Sequence, residues 1–247
     1  MIIGVLIVSL LAFALTNVFA KKTWQTFLSL IFGLIFVASL SLIVANLSNH
    51  FGMEKVTETK TEKIVSSADS QGADMLLYKA LGNGKEKVYL YRTNEKQEKP
   101  KATGTDNETN KVEKTDGDAE KVTKTTYWEY KNDMYKFWFN IADNNHEYDS
   151  RVNTFKIPET WVELSTDQAS KLAELVKKQQ STMESEAKAY VQDGMVKAMT
   201  ENPQMSKAEQ EQRTKALTAE FQQQAFAKLV KEAKGDEYFE HRLRKRL

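Results

Sequence analysis

Two tryptophans, Trp128 and Trp138, are the side chains best suited to bind something in this sequence. They sit among other rings, in Tyr127-Trp128-Glu129-Tyr130 and Tyr135-Lys136-Phe137-Trp138-Phe139. Flat rings stack on a sugar, a peptide or a drug-like molecule, while indole and phenol tips hydrogen-bond to it. Trp128 and Trp138 fall off the main apolar face of the strands expected to carry them, which makes them the candidate ligand-binding residues. The competing account is that aromatic strands build the core of a small sheet that must gain burial from few residues, and it covers most of the rings.

Other chemistry finds little footing. His50, His146 and His241 are scattered, with no His-Glu-x-x-His and no cysteine beside them, so no metal ligands are assigned. The stretch Asp143-Asn144-Asn145-His146-Glu147-Tyr148-Asp149 is rich in oxygen ligands. It lacks the spaced acids, glycine and closing glutamate of an EF-hand, however, and reads as a polar turn. There is no Gly-x-Ser-x-Gly elbow, no glycine-rich phosphate loop and no Ser-x-x-Lys set. No catalytic residue and no cofactor is therefore assigned, and the expected protein is not an enzyme.

Charge narrows the partners. The chain has 35 basic and 34 acidic residues for a formal net charge of +1, and Lys21 and Lys22 are the only charged side chains before Glu54. From Glu54 onward the chain is near neutral and of mixed sign, which gives no footprint for nucleic acid. The absence of cysteine excludes a disulfide framework, zinc-thiolate sites and thiol catalysis.

The elements that must position these residues begin with two apolar runs, Met1 to Phe19 and Phe27 to Leu47. Each reaches the roughly 20 residues that a helix needs to cross a bilayer core of about 30 Å. Residues 1–47 therefore read as a transmembrane helical hairpin, with Trp24 as an interfacial anchor beside its turn. Small residues four apart, Ser29 and Gly33, Ser41 and Ala45, Ala12 and Thr16, have the spacing that lets helices approach closely in lipid. The concentration of Lys21 and Lys22 in the turn puts the turn in the cytoplasm and the large domain outside the cell membrane. A rival reading makes the first run a cleaved signal ending near Val18-Phe19-Ala20, although a basic leading segment is missing.

Residues 48–164 read as a β-rich domain. Met53 to Ser66 is a stalk or an edge strand. Met75 to Ala80 and Val88 to Arg92 are strands joined through Gly82-Asn83-Gly84, whose glycines supply the positive φ a hairpin turn needs. Residues 95–121 carry eight acidic and six basic side chains against three apolar ones, Ala102, Val112 and Ala119, and read as a flexible insertion. Strands come next at Thr125 to Tyr130, at Met134 to Ile141 with Tyr135, Phe137, Phe139 and Ile141 on its core face, and at Arg151 to Ile157, closed by Pro158. One antiparallel sheet of roughly four to six strands is the expectation.

Residues 165–247 read as a C-terminal helical hairpin. Ser165-Thr166-Asp167-Gln168 has the form of a capping box. Leu172, Val176, Met183, Ala187, Tyr190 and Met195 continue from it at helical spacing. Asn202-Pro203 breaks that helix, Ser206 to Glu209 caps the next, and Leu217, Phe221, Ala225, Leu229 and Ala233 line it. Gly194 is a candidate bend. The chain closes on a basic tip, His241 to Leu247, suited to an anionic surface.

The fold class is thus α+β: an N-terminal transmembrane helical hairpin, a small antiparallel β-sheet domain and long C-terminal amphipathic helices. With that layout, the segment Leu76 to Tyr91 and the phrase Tyr127-Trp128-Glu129-Tyr130, the chain resembles an uncharacterised family of small membrane proteins of lactic-acid bacteria that carries a domain of unknown function. The resemblance implies a Gram-positive cell membrane and assigns no functional residues. The expected partners are the lipid bilayer and another membrane protein, such as a transporter, or an anionic envelope polymer. The alternative is a ligand-sensing or hydrolytic extracytoplasmic domain that uses the aromatic sheet.

Overall fold

The computed structural model describes residues 1–19, 21–68, 73–82, 84 and 86–244, with side chains to residue 235. Two compact units emerge. The first holds Met1–Lys60, Asp106–Thr109 and Thr123–Asn153; the second holds Thr61–Thr105, Asn110–Val122 and Thr154–Leu247.

In the first unit, α1 (Ile2–Val18) and α2 (Thr23–Asn49) pack against each other in opposite directions. Ile2 shares a cluster with Ile43, and the Phe13 ring lies against Gly33, where an added Cβ would meet it at 3.3 Å. The seam is built from small side chains: Ser9 of α1 and Ser29 and Ser39 of α2 are buried, whereas Ser41 faces outward. The hydroxyls of Ser9 and Thr16 donate back to the Leu6 and Ala12 carbonyls at 3.0 and 2.7 Å, so neither hydroxyl needs water. Leucines 10, 11, 15, 30 and 34 are exposed on the outer faces. At 27 residues, α2 is long and apolar enough to cross a membrane, while α1 at 17 residues is a shorter apolar helix.

The chain leaves α2 through a left-handed turn, His50 at φ 52° and Gly52 at φ 82°, and enters β1 (Met53–Lys63). β6 (Glu120–Tyr130) leads into α3 (Asp133–Phe139), and β7 (Glu147–Pro158) comes after it. α3 corrects the strand expected over Met134 to Ile141. Asn132 accepts a hydrogen bond from the Tyr135 amide at 3.1 Å and so caps a helix. Tyr135 and Phe139, one turn apart, face the cluster of Ile2, Met53 and Tyr130. Alternation and a single helical turn both place Tyr135 and Phe139 on one face of so short a stretch; the cap decides for the helix.

In the second unit β2 (Met75–Leu81) pairs antiparallel with β3 (Glu86–Tyr91), from Leu77↔Leu90 to Leu81↔Glu86. Gly82 and Gly84 take positive φ in the turn. β4 (Lys101–Ala102) adds antiparallel to β3, and β8 (Val162–Ser165) adds parallel to β2, giving the order β4-β3-β2-β8. This sheet is mixed, not antiparallel. The chain's other sheet, which is not confined to the second unit, has the order β1-β6-β7-β5, with β5 spanning Glu108–Thr115.

Leu76, Tyr78, Tyr89 and Tyr91 pack with Phe155 and Ile157 on one face of the mixed sheet, and Met75, Leu77 and Leu164 pack with the helices on the other. Burial on both faces explains why Met75 to Tyr78 is a continuous apolar run.

The helices are α4 (Thr166–Glu201) and α5 (Lys207–Arg244). Ser165 and Gln168 form the expected capping box, each amide bonding the other's side chain at 2.9 and 3.1 Å; Ser206 and Glu209 do the same at 2.7 and 3.3 Å. Leu172, Leu229, Val230 and Ala233 reach the sheet. Further out the helices pack on each other, with Tyr190 on Phe221 at 5.6 Å and Gly194 under Leu217. α4 runs unbroken through Gly194, which serves close approach to Leu217 and not a bend. The basic side chains from His241 onward lie outside the described residues.

The flexible insertion expected at residues 95–121 is ordered: it holds β4, β5 and the start of β6. Its anchors are polar ones that an apolar count overlooks. The Lys114 amine donates to the carbonyls of Pro158 and Trp161 at 3.1 and 2.9 Å, and the Asn110 amide to the Lys87 carbonyl at 3.0 Å. Val112 and Ala119 are packed into the core, and ladder hydrogen bonds supply the rest.

Candidate functional site

β6 carries Trp128 and Tyr130 on one side and Tyr127 and Glu129 on the other, as strand alternation requires. The His50 ring lies flat on Trp128, with 4.2 Å between centroids and 8° between planes, and the Lys55 amine stands 4.9 Å from the indole centroid. The indole N–H donates to Asp149 Oδ1 at 3.1 Å, while Lys55 and the Ser150 hydroxyl donate to Oδ2 at 3.0 and 2.9 Å. Foremost the Lys55 hydrogen bond, helped by those of Ser150 and Trp128, holds the Asp149 carboxyl below its ordinary range against a smaller opposing effect of burial.

Beside it, Tyr130 links the sheet to α2. Its hydroxyl lies 3.2 Å from Asn46 Oδ1 and 2.8 Å from Asn144 Oδ1, and the Asn46 amide donates to the Phe51 carbonyl at 2.8 Å. Asn46 is 1 % exposed. Burial pushes the Tyr130 phenol above its ordinary value, and the two asparagines pull the other way.

On the opposite side of β6, His146 stacks on Tyr127 at 3.8 Å and its Nδ1 meets Glu129 Oε1 at 2.7 Å. His50 Nε2 lies 4.0 Å from Glu147. Each imidazole is thus held between a ring and a carboxylate. Among the described residues no group of three His, Asp or Glu side chains could hold a metal ion.

Both sequence-derived candidates fall in this unit, on different elements and with different neighbours. Trp128 is half-buried, with its ring and N–H engaged by His50, Lys55 and Asp149. Trp138 stands on the exposed side of α3 beside Phe137, their rings edge-on at 5.9 Å. Of the residues that complete the cluster, Asn46, His50 and Lys55 come from one stretch at the end of α2 and the start of β1, and Asp149 from β7, all of them remote in sequence from Trp128 except Asp149. Only Asn46 carries a signal in the sequence, as an amide in the last turn of an apolar helix.

The second unit has a polar cluster of its own. Glu163 Oε1 accepts from the Tyr89 hydroxyl and the Lys87 amine, both at 2.8 Å, and that amine lies 4.1 Å over the Tyr78 ring. Burial, then the Glu163 hydrogen bond and charge, push the Tyr89 phenol far above its ordinary range, so it acts as a donor.

These features define an α+β protein carrying an N-terminal helix long and apolar enough to span a membrane. The chain belongs to the family described as a domain of unknown function, DUF4811, whose model matches residues 21–172. The match takes in α2, both sheets and the first turns of α4. No curated protein and no solved structure matches the chain.

Proposed function

We propose that this is a membrane-anchored, non-enzymatic accessory protein of a Gram-positive envelope, and that its α+β portion, outside the cell, binds another envelope component such as a transporter or an anionic wall polymer. In this reading α1 and α2 cross the bilayer as a hairpin and the turn at Lys21 and Lys22 is cytoplasmic. The observation that carries it is the outer surface of α1 and α2, covered with exposed leucine, isoleucine, valine and phenylalanine, a surface suited to a lipid environment. The outer part of the α4–α5 pair, with Val196 and Met199 exposed, is available to a partner.

The saturated contacts of Trp128 favour a structural use of that ring over a ligand platform. Cross-linking in intact cells, with identification of what is captured, tests the partner: a specific envelope protein or polymer is expected, and recovery of the monomer alone under several chemistries overturns it. The orientation is tested separately. A cysteine placed at the exposed Thr105, in a chain with none of its own, should react with an impermeant thiol reagent on whole cells; protection until lysis reverses the topology.

A further inference from the structure

α3 presents more apolar surface than its place in the first unit uses. Tyr135 and Phe139 face the cluster with Ile2, Met53 and Tyr130, whereas Met134, Phe137 and Trp138 are 60 %, 59 % and 38 % exposed. With 3.6 residues per turn, the three exposed side chains fall within an arc of about 100°, next to the buried pair, and Asp133 and Lys136 occupy the remaining arc. The helix is amphipathic, and its apolar side is wider than the cluster it packs on.

What lies around it indicates what covers that surface. The amino group of Met1 donates to the Phe137 and Trp138 carbonyls at 3.0 and 3.2 Å, so the last turn of α3 is level with the start of α1. Phe51, two residues beyond α2 and itself exposed, meets the Tyr135 and Phe139 rings edge-on at 5.9 and 5.8 Å. α3 therefore lies against the end of the apolar helix pair. A helix of 27 residues rises about 40 Å and overshoots a hydrocarbon core of about 30 Å, so its ends stand in the headgroup layer. Tryptophan prefers that layer, and the exposed Lys131 and Lys136 suit its phosphates.

We infer that α3 is an interfacial helix that seats Met134, Phe137 and Trp138 at the headgroup–acyl boundary of the bilayer leaflet where α2 ends. The inference rests on the reading of α2 as membrane-spanning. The short helix needs little affinity of its own, because α1 and α2 hold it at the surface. The occupant is lipid, and the apolar surface of α3 continues that of the helices beside it.

The experiment uses the full chain in vesicles of equimolar phosphatidylcholine and phosphatidylglycerol, with single cysteines M134C, F137C, K136C and V37C each carrying a nitroxide. All four positions are exposed, so the label disturbs no packing. Collision with oxygen, which concentrates in hydrocarbon, is compared with collision with a water-soluble nickel chelate. At V37C, M134C and F137C oxygen should dominate, with the α3 positions shallower than V37C, and at K136C nickel should dominate. Nickel dominance at M134C and F137C with oxygen dominance at V37C overturns the inference and leaves the membrane reading standing. Nickel dominance at V37C as well overturns both. Weak collision with either reagent at M134C and F137C means that protein covers α3, and also refutes the inference.

Discussion

Replacing Asn46 with alanine tests whether α2 is tied to the sheet of its unit by polar chemistry. The side chain is buried, donates to the Phe51 carbonyl at 2.8 Å and lies 3.2 Å from the Tyr130 hydroxyl. Truncation strips the part-buried Phe51 carbonyl of this donor, which costs about 1–2 kcal/mol. The hydroxyl keeps Asn144 at 2.8 Å, so its share is smaller, about 0.5–1.5 kcal/mol. Together these give about 1.5–3.5 kcal/mol, or roughly 3–14 °C in the unfolding temperature of a chain this size. The sharper measurement is a double-mutant cycle with Tyr130→Phe. The two changes remove one shared hydrogen bond, so they should be sub-additive by about 0.5–1.5 kcal/mol. Thermal and denaturant unfolding of the micellar protein, followed by near-ultraviolet circular dichroism, supplies the four values. A loss within about 0.5 kcal/mol of zero for Asn46→Ala, or strict additivity in the cycle, would refute the argument.

Gly52→Ala forces a side chain into a left-handed turn at φ 82° and against the Tyr135 ring, and should cost about 2–4 kcal/mol in the same unfolding assay; a loss below about 1 kcal/mol would mean that the loop relaxes freely. Gly194→Leu should wedge α4 from α5, because even a Cβ there would lie 2.8 Å from the Leu217 methyls. It is expected to lower the unfolding temperature, and adding Leu217→Ala should restore part of it; no recovery would place the damage elsewhere. Asp149 governs an acid dependence. Its folded pKa is depressed, chiefly by the Lys55 hydrogen bond, so its contribution is present above the ordinary carboxylate pKa of about 4 and is lost as pH falls through the lowered folded value. The stability gap between the native chain and Asp149→Asn should therefore narrow on acidification below about pH 4, and a gap constant with pH would refute this origin.

Periodicity made the long elements legible. The apolar helices, the pair β2 and β3 with its glycine turn, and α4 and α5 with their caps and stripes all depend on neighbours a few residues apart, and their positions can be read from the order of residues. The strands within residues 95–121 did not show, because Lys114 and Asn110 find their partners only when Pro158, Trp161 and Lys87 are brought beside them. The candidate site was half legible. Trp128 and Trp138 stand out as rings, but nothing along the chain says that one is clasped by His50, Lys55 and Asp149 while the other faces outward from a helix.

The sequence by itself determined that apolar helices open the chain and that long amphipathic ones close it, since burial against lipid or a neighbouring helix is set by spacing alone. Only the tertiary structure decided that Met134 to Phe139 coils and does not extend, that β8 runs parallel to β2, and which polar side chains meet. The last of these depends on partners far apart in the chain, 84 residues in the case of Tyr130 and Asn46 and 94 in that of Lys55 and Asp149, and a contact at such a separation leaves no periodic trace.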